Sequence, residues 1–261
     1  MVKNLPFADI TVPSPGFGAM GISHGLGNNL TLEEAEFVLL KAIKLELTEY
    51  LVANLMLSDE ASQEMFVDAG FVYNLKDLCQ NNGFTPDLYY LHRIDPMTPL
   101  GESIAAKIES LQAEYSAFKT LHETDGLIDA ARELGVAYVA YSPLGHGWLV
   151  DDFPYQSRDD VLTAQKLQGK NFYHSKKIVE EIKKLVARKS VKVTQIALAW
   201  VAAQGFIAIP GTTKPERLEE NWASRDVELD EEEKAELRRI IDSAKPKGNR
   251  YGPAHQAMMG H

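Results

Sequence analysis

The strongest constraint on the fold of this chain is the alternation of short strand-like runs with segments of helical periodicity. Seven runs have the composition or the two-residue alternation of a β-strand, and helical segments lie between several of them. The predicted strands span residues 16–20, 48–52, 65–68, 88–92, 111–115, 136–141 and 206–209. Because strands that alternate with helices form parallel sheets, the pattern predicts an α/β fold.

Several helices are also readable in the sequence. Thr31 and Glu34 match a capping box, in which a hydroxyl and a carboxylate bind free backbone N–H groups, so a helix is predicted to begin near Thr31. Apolar stripes at helical spacing occupy residues 178–186 and 196–201. Residues 229–244 have the pattern of a charged surface helix.

The length of the chain is compatible with one domain or two. At 261 residues it matches one βα-barrel, which takes about 250 residues, as well as two smaller domains. Residues 145–171 form the longest irregular stretch and are interpreted as a lid or surface excursion, and no Ser/Gly linker divides the sequence. We therefore predict a single domain over residues 1–261.

Composition excludes several classes of function. The chain has 27 basic and 37 acidic residues and a net charge of −10, which opposes binding to nucleic acid or to an anionic membrane. The single cysteine, Cys79, allows no internal disulfide, and no motif has the spacing of metal ligands, so no metal is predicted. No leader or membrane-spanning apolar run is present, so we expect a cytoplasmic protein.

A glycine-rich motif lies near the N-terminus. Residues 16–21 match the GxGxxG dinucleotide fingerprint, which functions when its glycines open a helix directly after a strand. Here Pro13 and Pro15 precede the motif, and the next helix signal comes at Thr31. We therefore interpret it as a glycine-tolerant first strand.

His92 is the first candidate for chemistry. It ends the predicted strand 88–92, and ligands of parallel α/β folds bind at the C-terminal ends of strands. A histidine there can polarise a carbonyl group or transfer a proton. The alternative, a buried histidine bonded to a neighbouring backbone group, stays open.

A basic turn follows the last predicted strand. The strand ends at Gly211, and the helix that Thr213 and Glu216 cap carries Lys214 and Arg217 in its first turn. Free N–H groups, the helix dipole and two cations together favour a phosphate, although a solvated helix start has the same pattern. Residues 139–147 form a strand and a Gly/Pro turn whose amides suit a pyrophosphate, as do many ordinary turns.

Five segments, taken in order, resemble the aldo-keto reductase superfamily, closest to its pyridoxal-reductase-like branch of fungi and bacteria. They are GFGAMGISHG at 16–25, DLYYLHRID at 87–95, QAEYSAF at 112–118, ARELGVAYVAYSPLGHGWL at 131–149 and IPGTTKPERLEEN at 209–221. The resemblance implies a TIM-type (β/α)8 barrel that uses NADPH to reduce an aldehyde or ketone of a small molecule.

The resemblance also implies roles for individual residues. His92 would be catalytic. The residues that would bind NADP(H) fall into four groups along the cofactor. Lys214 and Arg217 would hold the 2′-phosphate beside Gly211 and Thr212, Glu220 and Asn221 the adenine, Ser142, Leu144 and Gly145 the pyrophosphate, and Gln112 and Tyr115 the nicotinamide.

The chain departs from the family at its catalytic residues. The family's Asp and Tyr fall on Leu51 and Met56, and its Lys falls on Val67 or Asp68, so His92 alone has a matching counterpart. A positioned general acid contributes about 10²–10⁴-fold to the rate, and neither Leu51 nor Met56 can donate a proton. Classical carbonyl reduction is therefore expected to be weakened.

The segment between His92 and Gln112 is also short. It has room for about one helix where the family has a helix, a strand and another helix. This predicts an incomplete or distorted barrel of about seven strands, with unpaired edges near the strands that end at His92 and begin near Gln112.

Two functional hypotheses follow. The first is an NADP(H)-linked oxidoreductase with an incomplete catalytic tetrad. The alternative is a non-reducing descendant, either a ligand-binding pseudoenzyme or an isomerase, cyclase or dehydratase that uses the same pocket. A third possibility is a degenerate product that folds poorly. The sequence identifies neither the substrate nor an oligomeric state.

Overall fold

The structure is a computed structural model that describes residues 3–7, 10–19, 22, 30–45, 51–52, 90–92, 110–151 and 170–243. Its strands are β1 (Asn4–Phe7), β2 (Ile10–Pro13), β3 (Phe17–Gly18), β4 (Leu51–Val52), β5 (Tyr90–His92), β6 (Ser110–Glu114), β7 (Ala137–Tyr141) and β8 (Ile207–Ile209). Its α-helices are α1 (Leu32–Lys44), α2 (Leu127–Glu133), α3 (Lys170–Lys189), α4 (Val193–Ala203), α5 (Pro215–Trp222) and α6 (Glu231–Ser243). Short 3₁₀ turns lie at Leu121–Glu123 and Ala223–Asp226.

A parallel sheet organises the described strands. Strands β5, β6, β7 and β8 pair in that order, and β3 pairs with β4, all in parallel. The amide of Gly16 donates to the carbonyl of Ala208, and the amide of Gly18 donates to that of Pro210. These bonds place the first parallel strand beside the last, as in a sheet that curves toward a barrel.

The predicted parallel α/β fold is thus confirmed, and six of the seven predicted strands coincide with β3 to β8. The prediction for residues 65–68 lies outside the described part of the chain. Amphipathic stripes and charge patterns located α3, α4 and α6 correctly, and α3 begins inside the stretch that was expected to be irregular. The antiparallel hairpin of β1 and β2 was not predicted.

The expectation of unpaired edges between β5 and β6 is wrong. Tyr90, Leu91 and His92 pair in parallel register with Ser110, Leu111 and Gln112. Direct pairing satisfies the backbone N–H and C=O groups that would otherwise lie open at two edges. A shorter connection therefore brings these two strands together instead of leaving a gap.

Alternation along the strands divides the sheet into two faces. One face packs against the helices and includes Leu111 and Ala113 of β6 and Tyr138 and Ala140 of β7. Val139 of β7 points the other way. On that second face, which we call the interior face, an apolar cluster joins strands β7 and β8 to the N-terminal hairpin: Leu5, Phe7, Val12, Val139, Ile207 and Ile209.

The main core lies between the sheet and the helices. Its centre is α4, where Trp200 is buried, and helices α2, α3 and α6 add apolar side chains around it. Helix α5 instead packs Leu218 with Phe17 of β3 and Val38 of α1. The described helices therefore cover the outer side of the sheet and leave the interior face to the hairpin and the site described below.

The capping box at the start of α1 is confirmed. The hydroxyl of Thr31 accepts a hydrogen bond from the Glu34 amide at 3.2 Å, and the carboxylate of Glu34 accepts one from the Thr31 amide at 2.8 Å.

No helix of the described residues is long and apolar enough to cross a membrane.

Candidate functional site

The C-terminal ends of the parallel strands meet at one edge of the sheet. Glu114, Tyr141 and Ile209 are register partners and form one level of this edge. His92 and Gln112 are partners two residues earlier, which is about 7 Å further down the strands. The structure thus pairs the backbone of His92 with that of Gln112, and the catalytic role of His92 stays a prediction.

Gln112 is buried on the interior face. Its side chain has only 2% of its surface exposed, and its Nε2 finds no hydrogen-bond partner among the described residues. A buried N–H group without a partner costs about 1–3 kcal/mol. The unpaired amide therefore marks a place where an oxygen of a ligand would be bound favourably.

Glu114 and His146 form a pair directly above Gln112. The Nε2 atom of His146 lies 3.3 Å from Oε1 of Glu114. The side chain of Glu114 is 5% exposed and that of His146 is 29% exposed. Because Gln112 and Glu114 are two residues apart on one strand, both point to the interior face. Neither Glu114 nor His146 was predicted as a site residue.

The loop after β7 holds His146 by an unusual backbone. Ser142, Gly145 and His146 have φ values of 52°, 58° and 59°, in the left-handed region. The amide of Gly145 donates to the carbonyl of Ser142 at 2.9 Å and closes a turn. A Cβ atom on Gly145 would lie 2.5 Å from Cδ2 of Phe118. The predicted pyrophosphate residues Ser142, Leu144 and Gly145 therefore lie in a tightly fixed loop at the site edge.

Tyr115 does not lie at this edge. It follows Glu114 and points into the helix-side core, where its ring is fully buried, stacked on Trp200 at 5.4 Å and edge-on to Phe206 at 4.7 Å. Its hydroxyl donates to Glu123. Burial and this carboxylate raise the pKa of Tyr115, so it stays neutral. Tyr115 therefore lies on the face of the sheet opposite to Gln112, and its contact with the nicotinamide stays a prediction.

Tyr141 is the aromatic residue that the interior face presents instead. It is partly buried against the apolar cluster of β7, β8 and the hairpin, and it is the register partner of Glu114. Tyr141 could have been recognised in the sequence, because it is the last strand residue before the turn at Ser142. Tyr141 therefore lies on the same face of the sheet as Gln112 and Glu114.

The basic turn lies at the same edge, after β8. Gly211 bridges Gly18, and Oγ1 of Thr212 accepts the amide of Lys214 at 3.0 Å, which fixes the start of α5. Lys214 and Arg217 are exposed and form no ion pair within the part of the chain that the structure describes. Two cations without protein partners beside a helix N-terminus suit a phosphate.

The two residues predicted to hold adenine lie further along α5. Glu220 forms an ion pair with Lys192 at the start of α4, and Asn221 is buried. Neither arrangement tests a contact with adenine, so this role stays a prediction.

The positions at which the sequence predicts substitutions of the family's catalytic residues are only partly described. Leu51 lies in β4 and pairs in parallel with Phe17 of β3. Met56 and Asp68 lie outside the described residues. Among the described side chains, no three His, Cys, Asp or Glu residues lie together as a metal site requires.

Comparison with known sequences gives a consistent result. A model of the aldo/keto reductase family matches residues 102–242. An aldo-keto reductase of Gibberella moniliformis is 43% identical over 326 aligned positions, and the alignment covers 100% of both chains. That alignment is longer than the 261 residues here, so it leaves positions of the relative without a counterpart. Aldo-keto reductase yakc [NADP(+)] of Schizosaccharomyces pombe is 31% identical, over 64% of this chain and 60% of its own.

A solved structure adds a likeness of fold. The glycerol dehydrogenase of Gluconobacter oxydans superposes with a TM-score of 0.63 at 18% identity, and the match covers 96% of this chain and 98% of that one. At this level of identity the match concerns the fold alone.

Proposed function

Since this chain belongs to the aldo/keto reductase family and is an oxidoreductase of that type, we propose that it uses NADP(H) to interconvert an aldehyde or ketone of a small molecule with the corresponding alcohol. The observation that carries the proposal is that an amide and two cations, all without a polar partner among the described residues, lie at the same edge of the sheet. The buried amide of Gln112 lies at β6, and Lys214 and Arg217, which form no ion pair with any described residue, follow β8.

The residues at this edge fit a phosphorylated dinucleotide. Lys214 and Arg217 would hold the 2′-phosphate, and Gln112 would bind the carboxamide oxygen of the nicotinamide with its free Nε2. Gly18 lies close to Gly211, and a Cβ on Gly18 would lie 2.7 Å from the Ile209 carbonyl oxygen. A side chain therefore does not fit at Gly18. When bound, the cofactor supplies the hydride.

Two finer statements belong to the same proposal. We infer a TIM-type (β/α)8 barrel that is incomplete or distorted and has about seven strands, which the parallel order from β5 through β8 to β3 and β4 supports. A cytoplasmic location, a single domain and membership of the pyridoxal-reductase-like branch remain predictions.

Fluorescence titration with NADPH and NADH tests the cofactor. An ionic hydrogen bond contributes about 1.5–3 kcal/mol, so Lys214→Ala or Arg217→Ala is expected to weaken NADPH binding about tenfold or more and to leave NADH binding nearly unchanged. Lys177→Ala and Arg239→Ala, which remove exposed cations of α3 and α6, are matched controls. Equal NADPH affinities in all five proteins would contradict the proposed phosphate site.

Turnover separates the reductase from the alternative function. Purified protein, NADPH and a panel of aldehydes and ketones should show loss of nicotinamide absorbance above a control without enzyme. The alternative, a non-reducing descendant, is favoured by Leu51, whose hydrocarbon side chain stands where the family has an Asp. NADPH binding with no turnover of any carbonyl compound would favour that alternative.

A further inference from the structure

A buried carboxylate and an imidazole face each other at the sheet edge, beside the proposed nicotinamide position. We propose that His146 is the catalytic acid of this protein and that Glu114 is the residue that positions it. The inference rests on the proposed function, because it concerns the proton that carbonyl reduction consumes. The substrate class is thus a compound whose carbonyl oxygen reaches the loop after β7.

The first argument is location. Glu114 is two residues beyond Gln112 on β6, so its side chain points to the same face about 7 Å closer to the open end of the strands. His146 reaches Glu114 from the loop after β7, with Nε2 at 3.3 Å from Oε1. The pair therefore lies on the solvent side of the nicotinamide position, which is the side from which a substrate enters.

The second argument is electrostatic. Glu114 is 4% exposed, and an ionised carboxylate is buried at low cost only beside a compensating positive charge or donor. The imidazolium form of His146 supplies both. The carboxylate in turn favours the protonated ring and fixes its orientation. A protonated imidazole next to a binding site is a proton donor.

The third argument is the backbone. His146 adopts a φ of 59°, which glycine adopts more readily than a residue with a Cβ, while its neighbours Gly145 and Gly147 are both glycines with positive φ. The loop therefore keeps a side chain at the position where glycine would be less strained. Strained residues of this kind cluster at functional sites.

The proposed step balances. A bound reduced nicotinamide would supply a hydride to the carbonyl carbon, and the electron pair of the C=O π bond would move to the oxygen. That oxygen takes a proton from the ring of His146. The products are an alcohol and a neutral imidazole, which solvent reprotonates.

The other titratable groups at the described part of the edge do not take this role as readily. Tyr141 is packed in the apolar cluster, and the strand register places His92 one level further down. Lys214 and Arg217 follow β8 and are assigned to the phosphate. Among the described residues, the pair of Glu114 and His146 combines partial exposure with a fixed orientation.

Three variants test the proposal by turnover and NADPH titration. His146→Asn tolerates the left-handed backbone and keeps a donor for Glu114 but cannot supply a proton, so kcat is expected to fall about 10²–10⁴-fold with NADPH affinity unchanged. His146→Gly keeps the backbone if the first variant folds poorly. Glu114→Gln should lower kcat by a smaller factor. His122→Asn, which disrupts the remote pair of His122 and Asp125 at 2.7 Å, is the matched control.

A second readout does not depend on activity. The ¹⁵N chemical shifts of the His146 ring, measured at pH 7 without cofactor, should show a doubly protonated imidazole in the wild type and a neutral one in Glu114→Gln. A neutral ring in the wild type overturns the proposal, as does an unchanged kcat in His146→Asn. A wild type that neither binds NADPH nor reduces a carbonyl overturns the proposed function instead.

Discussion

Replacing Gly145 by alanine should destabilise the loop that carries His146, and the structure gives the size of the effect. The new Cβ would lie 2.5 Å from Cδ2 of Phe118. The ring cannot turn away freely, because Phe118 is 5% exposed and packs edge-on against the buried Trp148 at 5.9 Å. The clash must therefore be relieved by movement of the backbone or of the aromatic pair.

Two contributions add up at this position. A left-handed φ costs a residue with a Cβ about 1–2 kcal/mol, and overpacking of a buried site costs about 1–3 kcal/mol. Gly145→Ala is therefore expected to lower the free energy of unfolding by about 2–5 kcal/mol. Gly135→Ala is the matched control, since Gly135 has a φ of +68° and no atom within 4 Å of the added Cβ. Its expected loss is the backbone contribution of about 1–2 kcal/mol.

Urea unfolding of the wild type and both variants measures the difference. The m-value should be unchanged, so the shift of the midpoint reports stability. Phe118→Leu in the Gly145→Ala background should restore part of the loss, because the smaller side chain makes room for the methyl group. If Gly145→Ala and Gly135→Ala lose equal stability, or if Phe118→Leu brings no recovery, the contact with Phe118 does not constrain the loop.

Outcomes are expected for four further variants. Gln112→Met removes a buried amide that has no partner among the described residues, so it should raise the unfolding free energy of the cofactor-free protein by about 1 kcal/mol. It should also weaken NADPH binding in the fluorescence titration. A lower unfolding free energy together with weaker NADPH binding would refute the role of Gln112 as a ligand of the nicotinamide. Tyr115→Phe should cost about 0.5–1.5 kcal/mol of stability through the lost bond to Glu123, and NADPH affinity should not change. Thr31→Ala should cost about 0.5–2 kcal/mol in urea unfolding. Hydrogen bonds from the Thr31 amide and hydroxyl lower the pKa of Glu34. The stability that this carboxylate contributes is therefore present above the ordinary carboxyl pKa and is lost as the pH falls through the lowered value. Glu34→Gln should remove this part of the acid dependence of stability.

Interpretation of β6 shows how far the sequence could lead to the site. Gln112 was identified from its motif, and its position on the strand is confirmed. Gln112 and Tyr115 are three residues apart, however, and an odd spacing on one strand places two side chains on opposite faces. The same rule would have selected Glu114, which is two residues from Gln112. The two-residue alternation of the strand therefore places Glu114, and not Tyr115, on the same face as Gln112.

The connection between β5 and β6 could not be predicted in this way. The short spacing between His92 and Gln112 was correctly recognised, but its consequence was taken to be a gap. Strand pairing depends on backbone groups of segments that are distant in sequence, and these groups pair with whichever strand lies beside them. The structure shows that β6 itself occupies that position.

The sequence by itself determined the features that depend on neighbouring residues. The capping box of Thr31, the amphipathic faces of α3 and α4 and the strand-like runs all arise from interactions within a few positions of the chain. Only the tertiary structure decided which of these elements meet. His146 contacts Glu114 across 32 positions of sequence, and Gly18 bridges Gly211 from the other end of the chain. Such contacts depend on the register of the sheet and the course of the loops, which no local pattern of side chains specifies.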